Sequence, residues 1–462
     1  MMPIVRDRSL LPDWNNIPPE MIRNCIQEHL TSIPRLNKLE AYYLGNHPIL
    51  DRQMTKGLPN NRIVANHAKY ITDVAVGYVL GDPVKYEGDG IEPILDVFSR
   101  VDVHSHDAEL AKDLSIFGVG RELYYMTDDE NPIPKPAVID PRKIFLVVDD
   151  TVEQRPLFGC HYYEKRDINN QVIGYNVNVY TAQEVIRYFV KDLDSQAYEE
   201  LGREPHYFGG VPIVEFSNNE EQQGDFEQVI SLIDAYNVLM SDRVNDKEQL
   251  VDAILKLKGV SIGDDEEEAS RTINLLKQYK VLELPADQGA DAQWLVKNLN
   301  ESDVEVLRNA IRDDIHQFAM VPNLTDKNFA ANASGVAMKY KLLGLEQLAV
   351  IKERYFKKGL RKRLQLFANV LRVKGKAVDV SNVTITITRN LPANDLEAAQ
   401  MIAQLQDLVS HKTLVSQLSF VNDPQAEVDA KNAEKEENLR RQQAAFGFPV
   451  EREGDVDGDA EQ

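Results

Sequence analysis

Long one-sided helical patterns between residues 226 and 375 limit most strongly what this chain can fold into. The first pattern opens at Phe226 and predicts a helix of about thirty residues, roughly 45 Å long. Its apolar stripe skips the turns at Asn237 and Lys247, as is typical of a helix packed on one side and wet on the other. The stripe consists of Phe226, Ile230, Ile233, Met240, Val244, Val251 and Ile254. Such a helix is too long to bury its stripe within one small domain, which favours a subunit that stands beside copies of itself.

Two further helical patterns follow the first. The earlier one spans residues 303–320 and places Val304, Leu307, Ile311, Ile315 and Phe318 on one side. Pro322 ends it, and residues 323–335 lack apolar periodicity, which predicts a flexible loop. Ser334 can cap the next helix, which is predicted to run to about Val373. Its predicted inward positions are Val336, Tyr340, Leu343, Leu348, Ile351, Tyr355, Leu364, Phe367 and Leu371.

The chain before residue 226 mixes helix and strand patterns. Helical spacing occurs in residues 18–45, 66–81, 91–101 and 108–117. From Glu122 onward the pattern changes to short strands, with a hairpin turned at Asn169-Asn170. Residues 1–225 are therefore predicted to form one α+β domain, and a late strand at residues 383–388 is predicted to rejoin its sheet. The predicted fold class of the whole chain is α+β and mainly helical.

The other segments are a small insertion and a helical end. Residues 259–300 combine short apolar runs with acidic residues at 264–268, which predicts a small α/β insertion at the tip of the first long helix. Residues 395–440 are helical again, with a break at Asn422-Asp423-Pro424. The polar, acidic residues after Phe448 are predicted to be disordered.

Composition points to an ordinary globular, intracellular protein. Of 462 residues, 43% are hydrophobic and 27% are charged, and this length allows two to four domains. No run of eighteen apolar residues occurs, and residues 1–13 lack the apolar core of a secretory signal. Cys25 and Cys160 are the only cysteines, so we expect a reducing compartment and no membrane span.

The net charge of −22 argues against a protein that wraps DNA or RNA, because that role needs a basic surface. Residues 339–376 are the exception, since their twelve lysines and arginines are opposed only by Glu346 and Glu353. These cations are Lys339, Lys341, Lys352, Arg354, Lys357, Lys358, Arg361, Lys362, Arg363, Arg372, Lys374 and Lys376. Two interpretations stay open: contact with acidic faces of the same chain or a neighbouring subunit, or contact with phosphate.

Sequence patterns for catalysis are weak throughout the chain. Residues 259–263 match G-x-S-x-G, but a predicted helix precedes them and acidic residues follow, which favours a turn over a nucleophile elbow. His104 and His106 are two residues apart in a helical pattern, where their rings do not converge on a metal. Gly118-Val119-Gly120 lacks the third glycine of a dinucleotide site, and no P-loop motif occurs. We therefore predict no catalytic residue, no metal, no cofactor and no enzyme activity.

Four groups of residues, in order along the chain, carry a family resemblance. The first group contains LPNNRIV at residues 58–64, NHAKYI at 66–71 and GYVLGDP at 77–83. The second contains GVPIVEF at residues 210–216, then Asn218-Asn219 and GDFE at 224–227. The third is LIDAYN at residues 232–237 with Ser241-Asp242, and the fourth is SGVAM at 334–338. A chain with these groups in this order resembles portal proteins of tailed double-stranded DNA bacteriophages of the siphovirus type, and the resemblance covers residues from about 20 to 440.

This resemblance implies a ring, typically a dodecamer, at one vertex of the virion capsid. The ring is the channel for double-stranded DNA during packaging and ejection, the docking site of the packaging motor and the joint between head and tail. The implied partners are the terminase packaging motor, the major capsid and scaffolding proteins, and a head-completion adaptor protein. Before assembly, the implied location is the host cytoplasm.

The resemblance also implies a domain map. Residues 1–225 correspond to the family's wing, 226–257 to a first stem helix, 258–300 to the clip and 301–321 to a second stem helix. Residues 322–334 correspond to the tunnel loop, 335–392 to a long wing helix with the returning strand, 393–441 to crown helices, and 442–462 to an acidic disordered tail. Within the tunnel loop, Lys327, Asn328 and Asn332 are predicted to approach DNA most closely.

The size of such a ring is compatible with duplex DNA. Twelve helices about 10 Å wide form a circle roughly 38 Å across at the helix axes, which leaves a bore of about 28 Å. An acidic wall would repel phosphate and keep DNA from sticking. An alternative from another class is an intracellular helical scaffold or adaptor that oligomerises without a DNA channel.

Overall fold

The structure is a computed structural model. It describes residues 3–55, 58–251, 254–258, 265–279, 291–295, 301–325, 335–390, 395–416, 418, 421 and 424–445. The chain divides into two compact units, Met1–Asn390 and Leu391–Gln462. The described residues mix helix and sheet and are mainly helical, which confirms the predicted α+β class.

The first 120 residues supply a group of helices that begin and end at favourable residues. These are α1 (Pro19–Leu30), α2 (Ile33–Leu44), α3 (His67–Leu80), α4 (Glu92–Arg100) and α5 (Val103–Phe117). At the start of α3, Asn66 Oδ1 accepts the Lys69 N–H at 2.9 Å. Helix α5 ends at Gly118, whose φ of +79° favours glycine. A Cβ at Gly118 would come within 2.1 Å of the Gln222 carbonyl oxygen, so this glycine also permits a close approach of two chain segments.

Most strands of the first unit belong to two sheets. In chain order they are β1 (Ile4–Arg6), β2 (Lys85–Glu87), β3 (Val119–Met126), β4 (Pro134–Val138), β5 (Ile144–Asp149), β6 (Pro156–Arg166), β7 (Val172–Tyr180), β8 (Glu184–Val190), β9 (Glu199–Pro205) and β10 (Ile213–Ser217). The larger sheet has the order β1-β5-β6-β7-β8-β9 and the smaller one the order β10-β3-β4. Strands β6 and β7 are antiparallel and form the hairpin predicted around Asn169-Asn170. Helix α1 packs against the larger sheet through a separate apolar core.

The prediction that the late strand rejoins the main sheet is wrong. Strand β13 (Thr384–Thr386) pairs with β2 in a separate two-stranded sheet, with Ile385 opposite Tyr86. The Asn390 N–H donates to the Tyr78 carbonyl oxygen at 3.1 Å, so the returning segment runs along the end of α3. Because β2 follows α3 directly, the returning chain meets β2 rather than the larger sheets.

The first long helix is shorter than predicted. A 3₁₀ turn over Glu227–Val229 precedes α6 (Ile230–Val251), so the helix begins four residues after Phe226 and is about 33 Å long. Ile254, predicted to lie in the helical stripe, instead begins strand β11 (Ile254–Lys258). Helix α7 (Glu266–Tyr279) and strand β12 (Asp291–Leu295) follow, and β12 pairs antiparallel with β11. This arrangement confirms the small α/β insertion, and α8 (Glu301–Phe318) then returns.

The long basic helix is divided in two. Helix α9 (Gly335–Lys341) is separated at Leu342 from α10 (Leu343–Val373). Leu364, Phe367 and Leu371 of α10 are buried, as predicted, in the core that α10 shares with α3, α4 and α5. Tyr340, Leu343 and Ile351 were predicted to point inward but are 44–75% exposed.

The second compact unit is helical. It contains α11 (Asp395–Leu405), α12 (His411–Val415) and α13 (Pro424–Ala445), and Pro424 begins the last helix. No helix among the described residues of either unit is long and apolar enough to cross a membrane. The predicted disorder of the acidic residues after Phe448 concerns residues outside the described part.

Candidate functional site

Helices α6 and α8 pack side by side and form the central element of the candidate site. Ile233 of α6 and Ile315 of α8 are fully buried in the same core. Arg243 of α6 forms an ion pair with Glu305 of α8 at 3.1 Å. Together the two helices carry nine carboxylates and four lysines and arginines, so their net charge is −5. The pair of helices therefore carries an excess of negative charge.

A stripe of three polar side chains runs along the buried side of α6. Asn237, Ser241 and Asn245, the α6 polar stripe, are spaced four residues apart and are all buried. They accept hydrogen bonds from alternate backbone N–H groups of residues 60–65, which we call the docked segment. Ala65 donates to Asn237 Oδ1 at 2.8 Å, Ile63 to Ser241 Oγ at 2.9 Å, and Asn61 to Asn245 Oδ1 at 2.7 Å.

The geometry of this contact follows from two periodicities. Four residues of helix advance about 6 Å, and two residues of extended chain advance about 6.6 Å. The two spacings agree closely enough for three successive bonds. Asn237 also donates to His47 Nδ1 at 2.8 Å, so its amide bonds on both sides. The prediction that Asn237 marks a wet, skipped turn is wrong, because its amide is buried and hydrogen-bonded through both its oxygen and its nitrogen.

The same contact joins two of the motif groups on which the family resemblance depends. Asn61 and Ile63 of the docked segment belong to the LPNNRIV motif, and Asn237 and Ser241 belong to the third group. Sequence reasoning missed this link. The only available signal was the four-residue spacing of small polar side chains inside an otherwise apolar helical pattern.

An aromatic cluster holds the chain where α8 ends. His67 of α3 lies between Tyr236 of α6 and His316 of α8, with ring centroids 5.0 and 5.5 Å away. Burial, together with the nearby His316 and Arg312, lowers the pKa of His67 from 6.5 to about 4. Burial also lowers the pKa of His316, whose Nδ1 donates to the Val321 carbonyl oxygen at 2.9 Å. Both rings are therefore neutral at pH 7.

Tyr70 fixes the start of the loop that follows α8. Its hydroxyl donates to the Pro322 carbonyl oxygen at 3.2 Å and accepts the Leu324 N–H at 2.8 Å. Met320 has a φ of +56°, an uncommon value for a residue other than glycine, where the chain turns out of the helix. Lys327, Asn328 and Asn332, the predicted DNA-facing residues, lie outside the described residues.

On α10, part of the basic charge is used inside the chain. The Lys352 Nζ lies 2.5 Å from Asp225 Oδ2, and Asp225 also accepts hydrogen bonds from Ser115 and Asn218. Arg363 is fully buried and pairs with Glu122 of β3 and with Asp107 of α5. The interpretation of the basic segment as a partner for acidic groups of its own chain is therefore correct for these two cations.

Glu122 is the common acceptor of a buried polar cluster. Arg363, the Tyr124 hydroxyl and His106 Nε2 all contact its carboxylate, the last at 2.6 Å. Burial alone would raise the pKa of Glu122, but the charge of Arg363 and the bonds from His106 and Arg363 hold that pKa at about 2. This cluster locks α5, β3 and α10 together. We regard it as structural, because it is enclosed by the core.

The weak catalytic patterns gain no support. His104 is exposed on α5 while the neighbouring His106 faces Glu122, so the two imidazoles do not converge. Within the described ranges, no cluster of three or more His, Cys, Asp or Glu side chains could hold a metal. Gly118 leads into strand β3, whereas a dinucleotide site needs a helix after its glycines. The G-x-S-x-G match at residues 259–263 lies outside the described residues.

Comparison with known proteins identifies the family. The family described as "Phage portal protein, SPP1 Gp6-like" matches residues 22–441. The portal protein of Bacillus phage SPP1 is 27% identical over 462 residues, which cover 95% of this chain and 88% of that protein. The portal protein of Clostridium phage phiCD119 is 24% identical over 431 residues, which cover 87% and 93%.

Two solved structures resemble the fold more distantly. One is from the virion of a native gene transfer agent particle, with 13% identity, a TM-score of 0.42, and coverage of 83% of this chain and 92% of that chain. The other is from the neck of that type of particle, with 11% identity, a TM-score of 0.41, and coverage of 77% and 88%. The assignment depends on the family match, which spans most of the chain. This protein therefore belongs to the SPP1 Gp6-like family of phage portal proteins, the subunits of the DNA channel at the portal vertex of the capsid.

Proposed function

We propose that copies of this chain form a closed ring, typically of twelve subunits, through which viral DNA enters the capsid during packaging and leaves during ejection. The observation that carries the proposal is the family match over residues 22–441. Helices α6 and α8 form the wall of the channel in this proposal, and the insertion β11–α7–β12 forms the end that faces the packaging motor. The chain acts as a structural conduit without a reaction of its own.

The charge of the α6–α8 pair supports the role of a channel wall. With five more carboxylates than basic side chains, each pair repels the phosphates of a passing duplex. Each phosphate contact that forms and breaks would slow DNA, whereas a repelling wall keeps such contacts few. A conduit therefore benefits from the same acidic charge that argues against a DNA-wrapping protein.

The loop after α8 is the part that approaches DNA in this proposal. Its first residues are fixed by Tyr70 of α3 and by His316 of α8, which is one of the two wall helices. Lys327, Asn328 and Asn332 follow within that loop and supply one cation and two amides. These groups suit brief contacts with phosphate and with base edges.

Further partners follow from the portal role. We propose that the ring contacts the terminase motor, the major capsid and scaffolding proteins, and a head-completion adaptor, first in the host cytoplasm and then in the virion. None of these contacts requires a membrane or a bound cofactor.

Electron microscopy of the purified chain tests the channel. We expect closed rings with an axial opening wide enough for a duplex, about 20–30 Å by the helix-packing estimate. Monomers or open filaments would contradict the proposal and favour a scaffold or adaptor without a channel.

The loop is tested by the triple substitution Lys327→Ala, Asn328→Ala and Asn332→Ala in assembled particles. Because phosphate contacts made by the loop are lost, we expect roughly tenfold fewer DNA-filled heads, with ring formation unchanged. The matched control is Lys143→Ala, Asn24→Ala and Asn169→Ala, three exposed positions in the first compact unit. Normal packaging by the loop variant would refute the role of these residues.

A further inference from the structure

One face of α10 is exposed along most of the helix. We call it the α10 outer face. It combines apolar residues in its first third with basic residues further along. Its members recur at three- and four-residue intervals, which places them on one side of the helix. They are Leu343, Gln347, Ile351, Arg354, Lys358, Arg361, Lys362 and Gln365, and all are exposed.

Among the described residues, the cations of this face have no ion-pair partner. Arg354, Arg361 and Lys362 form no ion pair or side-chain hydrogen bond with the residues that the structure describes. Lys358 contacts the Tyr355 ring, with its Nζ 4.5 Å from the ring centroid. On the neighbouring side of the helix, by contrast, Lys357 pairs with Glu353. Four like charges within nine residues repel one another, and carboxylates from outside the subunit would relieve that repulsion.

The apolar end of the face distinguishes a protein partner from DNA. Tyr340, Leu343 and Ile351 are 44–75% exposed, although their spacing is that of inward-facing residues. Met320 and Phe318 at the end of α8 are also about half exposed. Met320 lies against the start of α10, since a Cβ at Gly344 would come 3.6 Å from its carbonyl oxygen. An exposed apolar patch beside unpaired charge is typical of a protein interface, whereas a phosphate backbone offers nothing apolar to cover it.

A cleft of about 360 Å³ opens beside the basic part of the face. Its lining includes Lys358 and Lys362 together with Glu220 and Glu221. Gln222 also lines the cleft. Its side chain is 8% exposed, and its Oε1 has no hydrogen-bond partner within the described ranges. A buried acceptor without a partner favours a donor that arrives from another molecule.

We propose that the α10 outer face, with its adjoining cleft, is the surface on which a second copy of this chain docks within the ring. The neighbour supplies carboxylates to the four cations, apolar contacts to the Leu343 and Ile351 end, and a donor to the cleft. An acidic partner is available, because each copy carries 74 acidic against 52 basic residues. This inference rests on the proposed ring, and it assigns the four cations of the α10 outer face to subunit contact rather than to phosphate.

Charge reversal on the full chain tests the docking surface. In Lys358→Glu with Lys362→Glu, the neighbour's carboxylates meet like charge, and we expect the fraction of chain in rings to fall about tenfold. Native mass spectrometry and sedimentation velocity measure that fraction, and circular dichroism checks that each variant is folded. The matched control reverses two exposed lysines elsewhere, Lys143→Glu with Lys191→Glu, and we expect it to assemble like the wild type.

The outcomes separate this inference from the proposed function. If the wild-type chain forms no ring, the proposed function fails, and the inference that rests on it fails as well. Rings that form normally in the Lys358/Lys362 variant would overturn the inference, and so would an equal loss in the control. Normal rings that merely lose retention of duplex DNA would also overturn it, and would assign the face to phosphate.

A second measurement avoids charge substitutions altogether. The photo-crosslinking amino acid p-benzoylphenylalanine replaces exposed Ile351 in otherwise wild-type chain, and irradiated rings are analysed by denaturing electrophoresis. We expect covalent dimers whose second linkage site maps to an acidic or apolar surface of the neighbour. The same amino acid at Lys143 is the control, and absence of dimers from position 351 in intact rings would contradict the docking surface.

Discussion

Helices α6 and α10 are both held to earlier segments of the chain by buried polar side chains, but in opposite ways. Helix α6 uses the neutral groups of its polar stripe, and these accept successive backbone N–H groups of the docked segment. Helix α10 uses charge at two separate points, where Lys352 meets Asp225 and Arg363 meets Glu122 and Asp107.

This difference determines how each contact responds to change. In the α6 polar stripe, several separate hydrogen bonds each contribute part of the stabilising free energy. A single substitution therefore removes one contribution and leaves the others intact. A buried ion cluster concentrates its free energy, because removal of the cation leaves carboxylates in the core without compensation. We therefore expect a single substitution in the buried ion cluster of α10 to lower the free energy of unfolding strongly. A single substitution in the α6 polar stripe should lower it by a smaller amount.

The largest effect should come from Arg363→Met. The substitution keeps much of the side-chain volume but leaves Glu122 and Asp107 buried without a cation. We expect the free energy of unfolding to fall by about 3–5 kcal/mol. Urea denaturation at fixed protein concentration measures the change.

The control for this prediction is Arg187→Met. Arg187 also forms an ion pair, with Glu204 at 2.6 Å, but both side chains are about half exposed. Surface pairs contribute about 0–1 kcal/mol, so this variant should remain near the wild type. If both substitutions lowered the free energy of unfolding equally, burial would not make the α10 ion cluster more important for stability than a surface pair.

A smaller loss should follow Asn237→Ala in α6. Without the amide, the Ala65 N–H and His47 Nδ1 both lose a hydrogen-bond partner in a buried place, which should cost about 2–3 kcal/mol. Urea denaturation again measures it, with Val238→Ala, an exposed position one residue along the same helix, as the control. A loss no greater than that of the control would mean that water replaces the amide and that the stripe is not a stabilising contact.

Periodicity in the sequence predicted the existence of these helices better than their bounds or partners. Helix α6 was expected from the spacing of Ile230, Ile233 and Met240, and it is present. Its predicted end was wrong at Ile254, because an apolar residue fits a strand of the insertion as well as a helical stripe. The role of Asn237 was missed for a related reason, since periodicity of apolar residues says nothing about a buried amide whose partner is backbone from a distant segment.

The exposed apolar residues of α10 illustrate a second limit. Leu343 and Ile351 have the spacing of core residues, and in sequence they cannot be distinguished from Leu364 and Phe367, which are buried. Spacing indicates that a residue is covered in the working protein, but not whether its own chain or a second copy covers it. The structure of one subunit separates the two sets.

Only part of the candidate site could be predicted, because contacts between distant segments leave no pattern in the sequence. The acidic charge of α6 and α8 could be counted in the sequence, and the family resemblance assigned them to a channel. Tyr70 and His67, which hold the start of the following loop, were not singled out, because their partners lie some 250 residues further along the chain. The roles of Lys327, Asn328 and Asn332 remain predictions.

The smallest effect we expect concerns pH. It tests whether the contact of α6 and α8 with α3 depends on an uncharged His67. The pKa of His67 falls from 6.5 to about 4 in the folded chain. Below pH 6.5, therefore, the His67 imidazole binds a proton in the unfolded chain but not in the folded chain. Stability is therefore lost as pH falls from about 6.5 towards 4. His67→Gln should reduce the loss between pH 7 and 4.5 by up to about 2 kcal/mol, measured by urea denaturation at each pH. His104→Gln, at an exposed position of α5, should follow the wild-type profile. Identical stability profiles for the wild type and both variants would mean that the His67 imidazole can be protonated without losing its contact with α6 and α8.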